Sequence, residues 1–496
     1  MLKLAAKQVT LGIIIPMVFI AGGAAAYDLT FNHTLYGVGA VEEYAPGEVV
    51  VLMDEPIARE DFAAAAARAG AAVEAVSLAN PARAIVKVPI GKEDTYVRAY
   101  ANAAGVRAIS KNYVYHASWT PNDTYYPLQW HFNKPDFIKA EAGWDITRGK
   151  KAVVVAVVDT GVAFENYAVP AGEQGEVSGS SYAKSPDFET TSFVAGYDFV
   201  HKDDHPNDQN GHGTHVAGTI AESTNNGRDV AGLAHLCSIM PVQVLDHTGS
   251  GYIADIADGI DWARTHGAHV INMSLGASTG SSVLKAACDD AWNNNVVVVA
   301  AAGNDKTAVL SYPAAYDSVI SVMAVDYAGN KAFYSNYGMG IDIAAPGGDT
   351  TADLNGDGNP DGVIQMTYSQ VYQKGSPETF ASVGSFANAG FMGTSMATPH
   401  VSALAALIIS TGVTSSDDVR SKLLGSATDL GTPGYDTTFG YGLINCEASL
   451  KPGVPNLGTD CGQCGALGGL GLAMVLAAWG IPFIITLPRR FKRRDR

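Results

Sequence analysis

Four stretches of this chain are apolar almost without interruption: VVVAVVD at 153–159, HVINMSLG at 269–276, VVVVAAAGN at 296–304 and SVISVMAV at 318–325. A strand with one wet face alternates apolar and polar residues. A strand without alternation has both faces covered, which is the situation of a parallel sheet lying between two layers of helices. Between and around these runs the periodicity becomes helical, in HGTHVAGTIAES (212–223), IADIADGIDWARTHG (253–267) and SVLKAACDDAWNN (282–294). The sequence therefore predicts an α/β, three-layer αβα body over residues 118–450, with a mostly parallel, doubly wound sheet. Functional residues are expected at the carboxyl ends of its strands. Apolar residues make up 47% of the chain and charged ones 16%, enough to fill such a core, and a formal charge of −17 argues against a nucleic-acid partner.

Three polar positions stand out against this framework. Asp159 ends the first apolar run and is followed by Thr160 and Gly161; His212 opens a helix in NGHGTHVAGT (210–219); Ser395 sits in FMGTSMATPH (391–400) at the entry to a second helix. A serine hydroxyl is a poor nucleophile until a base takes its proton. That base in turn needs a carboxylate to hold its tautomer, so a Ser, a His and an Asp form one chemical unit. Each also has a plainer reading: Asp159 and Ser395 as turn or helix caps, and His212 with His215 as an HxxH metal pair. The metal pair lacks the H-E-x-x-H spacing and the Glu base of the zinc proteases. Pro399 is expected in the first turn of the helix, where its missing N–H costs nothing.

The three stretches, in the order Asp, His, Ser, resemble those of the subtilisin-like serine proteases, the subtilases. The resemblance implies a serine endopeptidase acting on proteins and peptides through an Asp159–His212–Ser395 triad and an acyl-enzyme. It implies that Asn304, in VVVVAAAGND, donates to the oxyanion together with the Ser395 N–H. It also implies that Ser274, Leu275 and Gly276, facing Ala302 and Gly303, bind the substrate as an added strand, with Ser311 at the base of the primary specificity pocket. Small residues there imply broad tolerance. Two other classes remain open: a catalytically silent surface binding protein on the same fold, and an esterase using the same triad. Against the esterase, no G-x-S-x-G elbow surrounds a serine.

A cation site is suggested independently by DLNGDGNPDG at 353–362. Asp353, Asn355, Asp357, Asn359 and Asp361 have the spacing of an EF-hand-type calcium loop with Gly358 at its sharp turn, although Ile364 stands where the bidentate Glu belongs. Asp198 and Asp203 form a weaker candidate by resemblance. Ala168 stands where the resemblance would place an aspartate of a strong calcium site near the start of the body, so no such site is expected there.

The flanks carry other signals. Residues 1–26 have the basic, apolar and small-residue pattern of a secretory signal peptide, which predicts export. Residues 27–117 include the segments GEVVVLMD, REDFAAAAARAG, AVEAVSL, RAIVKVPI, EDTYVRAYANAAG and VRAISKNYVYH. Their β-α-β-β-α-β order predicts a small ferredoxin-like α+β unit, which resembles the inhibitory propeptide of subtilases. After the body come a Pro/Gly linker with CGQCG (451–465), an apolar stretch from Ala466 to Leu487 and a basic end. This tail resembles the C-terminal sorting signals of some Gram-negative surface proteins. Its apolar stretch is long enough to span a bilayer, so a membrane attachment at the cell surface is expected, retained or processed. The five cysteines allow at most two disulfides. The segment 171–186 reads as a polar surface loop.

Overall fold

A computed structural model describes residues 44–452, apart from 57–62, 64, 65, 68, 69, 78, 79, 104, 114–118, 171–180 and 370–383. The signal-peptide segment, the CGQCG motif and the apolar C-terminal stretch lie outside the described residues. Among the described residues no helix is long and apolar enough to cross a membrane. The chain divides into two compact units, residues 1–117 and 118–496.

In the first unit four strands form one antiparallel sheet in the order Ala72–Val76, Arg83–Lys87, Tyr44–Met53, Val106–Tyr113. Ala63, Ala66 and Ala67 are helical between the first and second strands, and the Glu93–Tyr100 helix joins the third to the fourth. This is the ferredoxin-like arrangement. Val49, Val51, Val86 and Val88 meet Ala66 in its core, because alternate strand positions share one face.

In the second unit an eight-stranded sheet carries every apolar run singled out above. Its parallel order is Ile343–Pro346, Ile320–Val325, Val297–Ala301, Val270–Met273, Val154–Asp159, Ser238–Gln243, and then the short Ser192–Phe193 and Tyr197–Asp198 segments. Val155 and Val157 join the core on one face with Val401, Leu404 and Leu407 of the Thr394–Ser410 helix. Val154, Ala156 and Val158 join the core on the other, with Ile260 of the Ile253–Thr265 helix and Leu284 of Ser282–Asn293. Burying each such side chain stabilises the fold by about 1.5–3 kcal/mol, and absence of alternation is its sequence signature. From Val154–Asp159 the chain reaches the neighbouring strand on one side, Ser238–Gln243, then crosses to the other side at Val270–Met273. The carboxyl end of Val154–Asp159 is therefore the point where strand order reverses, the place where an open α/β sheet leaves a crevice.

Two sequence expectations need correcting. Pro399 lies inside the helix, as the sixth residue counting from its start at Thr394, rather than in the first turn. It therefore removes the N–H that would bond the carbonyl of Ser395, and the Ser274 hydroxyl replaces it at 2.8 Å. The 171–186 loop is partly structured at its end, where Ser181–Tyr182 pairs with Tyr167–Ala168. Cys237, Cys288 and Cys446 are free and buried, so none of the described cysteines is in a disulfide.

Candidate active site

At the crevice, the Asp159 carboxylate is fully buried and its Oδ1 lies 2.7 Å from His212 Nδ1. The same oxygen accepts the Thr160 N–H at 2.8 Å. Two glycines permit this approach. Gly161 has φ +94°, and a Cβ there would sit 2.8 Å from the backbone of Asn207; a Cβ on Gly213 would sit 2.1 Å from the Gly161 carbonyl. The turn after the strand and the first turn of the His212–Ala221 helix thus touch through bare backbone, which brings acid and base into contact. About a quarter of the His212 side chain stays exposed. Burial alone would lower its pKa, but the Asp159 charge and hydrogen bond, with a smaller contribution from Asp208, raise it above 6.5.

Ser395 is the second residue of the Thr394–Ser410 helix, where first-turn N–H groups lack intrahelical acceptors. Its hydroxyl donates to the Ser274 carbonyl at 3.1 Å, and among the described residues no hydrogen bond joins it to His212. Asn304 is exposed at the end of its strand, and its Oδ1 accepts both the Thr394 N–H (2.9 Å) and the Thr394 hydroxyl (3.0 Å). With the oxygen so engaged, Nδ2 is left as the free donor, lying 3.6 Å from the position a Cβ on Gly393 would take. Asp159 and His212 are therefore directly bonded, and Asn304 sits at the mouth of the Ser395 helix. His215, one turn further on, is buried, stacked on Phe391 at 4.2 Å and bonded to the Val363 and Ala389 carbonyls, so it is a core residue.

The predicted substrate-binding segments converge. The Ser311 N–H donates to the Ala302 carbonyl, and Ala277 and Tyr312 exchange backbone hydrogen bonds. A Cβ on Gly276 would lie 3.0 Å from Ser311 Cβ, and one on Gly303 would lie 2.4 Å from Ser311 Oγ. Ser311 thus packs directly against Gly276 and Gly303, neither of which has room for a side chain. Leu275 is half-buried beside it.

The predicted cation loop is different. Asp353, Asn355, Asp357, Asn359 and Asp361 share one exposed loop, yet no three carboxylates, imidazoles or thiols gather into a metal-binding group among the described residues. Their oxygens cap the loop instead: Asp353 accepts the Gly356 and Gly358 N–H groups, Asn355 that of Asp357, and Asp357 that of Asn359. Asp361 alone keeps a buried carboxylate oxygen without a partner. Asp198, in the weaker candidate, is engaged by His201 at 2.7 Å.

A better cradle escaped the sequence reading, which had looked to Ala168. Asp123 and Asp187 are both buried, and no cationic side chain pairs with either among the described residues. Asp123 accepts the Asn225 and Asn226 N–H groups, and Asp187 accepts the Asn226 side chain and the Val230 N–H. Burial pushes the Asp187 pKa up to about 7, with the Asp229 and Asp123 charges adding to it. No third carboxylate, imidazole or thiol joins them among the described residues, but two buried carboxylates without a cationic partner are the kind of charge that a hard cation such as calcium would offset. Neither acid sits in a recognisable spacing, so only the fold could reveal them.

Comparison with known proteins gives the chain a family. The profile of the subtilase family matches residues 150–442. A thermophilic serine proteinase from Bacillus sp. (strain AK1) is 36% identical over 403 residues, spanning 81% of this chain and 86% of that protein. Thermitase from Thermoactinomyces vulgaris is 37% identical over 333 residues, 67% of this chain and 100% of that protein. Among solved structures, proteases from Pseudoalteromonas arctica align with a TM-score of 0.55 at 32% identity, covering 67% of this chain and 99% of theirs.

Proposed function

The chain belongs to the subtilase family and is a serine endopeptidase, and from that premise we propose that Asp159, His212 and Ser395 are its catalytic triad. The observation that carries the assignment is the 2.7 Å bond between His212 Nδ1 and a fully buried Asp159. With Nδ1–H committed to Asp159, Nε2 is the basic nitrogen. The Ser395 hydroxyl turns from the Ser274 carbonyl toward it, gives up its proton and attacks the scissile carbonyl. The oxyanion is stabilised by the Ser395 N–H at the positive end of its helix and by Asn304 Nδ2, which Thr394 aims by holding the opposite oxygen. His212 then protonates the leaving amine, and water repeats the sequence on the acyl-enzyme.

The substrate is an extended peptide laid between Ser274–Gly276 and Ala302–Gly303, its side chain entering the slot closed by Ser311. Residues 27–117 are an inhibitory propeptide removed by the enzyme itself. Residues 1–26 direct export, and the apolar C-terminal stretch attaches or sorts the protein at the cell surface. Calcium, held by Asp123 and Asp187 with neighbouring backbone oxygens, would be a structural ion that neutralises buried charge and takes no part in the reaction.

Ser395→Ala tests the reading. The variant should leave casein intact, resist labelling by a serine-directed covalent inhibitor and accumulate as uncleaved precursor. A purified variant that still matures would rule out self-processing, and one that still cleaves casein would remove Ser395 from the chemistry.

A further inference from the structure

Asp208 is a buried acid with no place in the mechanism above. Its carboxylate accepts five hydrogen bonds. Oδ1 takes the Thr160 hydroxyl (2.9 Å) and the Asn210 (2.8 Å) and Gly211 (2.9 Å) N–H groups; Oδ2 takes the Thr214 N–H (2.9 Å) and hydroxyl (2.6 Å). These donors are not scattered. Thr160 follows Asp159, Asn210 and Gly211 precede His212, and Thr214 lies two residues after it. Thr160 Oγ1 also accepts the Gly213 N–H at 2.9 Å, and Thr214 Oγ1 that of Ala163 at 3.0 Å. The loop is gripped from outside by the Val363–Tyr368 strand, where the Tyr368 hydroxyl donates to the Asp208 carbonyl (2.8 Å) and Thr367 to the Gly211 carbonyl (2.5 Å).

A helix N-terminus needs a cap, but a serine or asparagine would satisfy its amides without burying a charge. A buried carboxylate is costly unless its hydrogen bonds and the surrounding dipoles repay the desolvation. Burial pushes the Asp208 pKa up; the five donated hydrogen bonds, with the positive end of the His212–Ala221 helix, pull the other way and favour the ionised form.

We propose that Asp208 is a positioning residue that locks the Asp159 turn to the His212 helix and supplies a second negative charge for the imidazolium formed during catalysis. This rests on His212 being the base. The titratable groups facing the imidazole are Asp159 from its strand, Asp208 from the loop and His215 from the same helix, while Tyr368 of the Val363–Tyr368 strand faces Asp208. Of these, the two carboxylates favour the protonated ring. Asp159 does so by direct contact, and Asp208 from across the Thr160 bridge.

Asp208→Asn keeps the size and removes the charge. In the mature enzyme, with active sites counted by a covalent inhibitor, kcat should fall on the order of tenfold while KM stays within about twofold. The acid limb of kcat/KM should move to lower pH. Thr160→Val keeps the charge and cuts the bridge, so it should lower kcat and leave the limb in place. An Asp208→Asn enzyme with wild-type kcat per active site and an unmoved limb overturns the proposal, even if its melting temperature drops. Should Asp208→Asn fail to fold, a Thr160→Val enzyme with unchanged kcat, or with a shifted limb, overturns it instead. His212→Ala separates the two levels. An inactive His212→Ala beside a normal Asp208→Asn refutes only the role of Asp208, whereas an active His212→Ala refutes the base assignment and this inference with it.

Discussion

Ser274 and Ser395 exchange hydrogen bonds: the Ser274 hydroxyl donates to the Ser395 carbonyl at 2.8 Å, and the Ser395 hydroxyl donates to the Ser274 carbonyl at 3.1 Å. The first bond exists because Pro399 has no N–H to offer that carbonyl. The second parks the proton of the proposed nucleophile on the proposed substrate-binding segment. A strand end and a helix start that are far apart in sequence are thereby fixed to each other at the reacting atom.

This pairing predicts non-additive substitutions. Ser274→Ala should destabilise the protein by about 1–3 kcal/mol, the usual range for a polar group left without a partner. Pro399→Ala restores a backbone donor to the Ser395 carbonyl, so in that background Ser274→Ala should cost measurably less. Denaturant unfolding of the two single variants and the double variant, made inactive with Ser395→Ala to prevent self-digestion, closes the cycle. A coupling energy of zero would mean that Ser274 and Pro399 do not share this carbonyl.

The His212–Asp159 pair sets the direction of the pH dependence. As the proposed base, His212 acts only when neutral, and its pKa is held above 6.5 by Asp159 and then Asp208 against the effect of burial. Proteolysis should therefore rise through an apparent pKa above 6.5. The pair's contribution to stability has the opposite sense: it is full below 6.5 and is lost as pH rises through the folded value. Asp159→Asn should move the kinetic limb to lower pH and reduce kcat by about 10,000-fold. A limb that stays put in that variant would dissociate the observed titration from His212.

How much of this was legible in advance depended on the range of the signal. The unbroken β-branched runs gave the parallel sheet because burial of both strand faces is a local pattern. Asp159, His212 and Ser395 could be singled out as candidates because each sits in a short stretch with its own glycines, and the close approach at Gly161 and Gly213 shows why two of those glycines are needed. Asp208, Thr160, Asp123 and Asp187 were not readable. Each acquires its environment from elements distant in sequence, and an isolated Asp in a loop looks like any turn residue. The EF-hand-like spacing at 353–361 does not discriminate, for the complementary reason. Alternating Asp and Asn also suit a self-capped loop, in which side-chain oxygens take the loop's own amides.

Below pH 6.5 a buried histidine pair should limit stability. His131 Nδ1 and His400 Nε2 are 3.0 Å apart, both rings are fully buried, and His400 Nδ1 donates to the Met396 carbonyl beside the nucleophile. Burial lowers both pKa values, that of His400 to about 4. The unfolded chain therefore takes up protons first, and the stability present above 6.5 is lost as pH falls toward about 4. In the Ser395→Ala background, His131→Gln should flatten the dependence of melting temperature on pH between these limits. An equally steep fall in that variant would place the acid sensitivity elsewhere.

The cation prediction separates the two candidate sites. Asp123 and Asp187 are buried and unpaired, so removing a bound calcium leaves two uncompensated charges in the interior of the loop region 222–230. Asp353 and Asp357 are exposed and already bonded to their own loop, so their surroundings change little. A chelator should lower the melting temperature of the Ser395→Ala protein, because an ion bound only by the folded state stabilises it by RT ln(1 + [L]/Kd). Asp187→Asn should be less stable than its parent in calcium and respond weakly to the chelator. Asp357→Ala should respond as the parent does. The reverse pattern, with the response abolished by Asp357→Ala and intact in Asp187→Asn, would return the structural ion to the loop at 353–361. No response to chelator in any of the three would leave the buried pair to be neutralised by protonation instead, which a fall in stability as pH rises from about 4 to about 7, levelling off above, would then reveal.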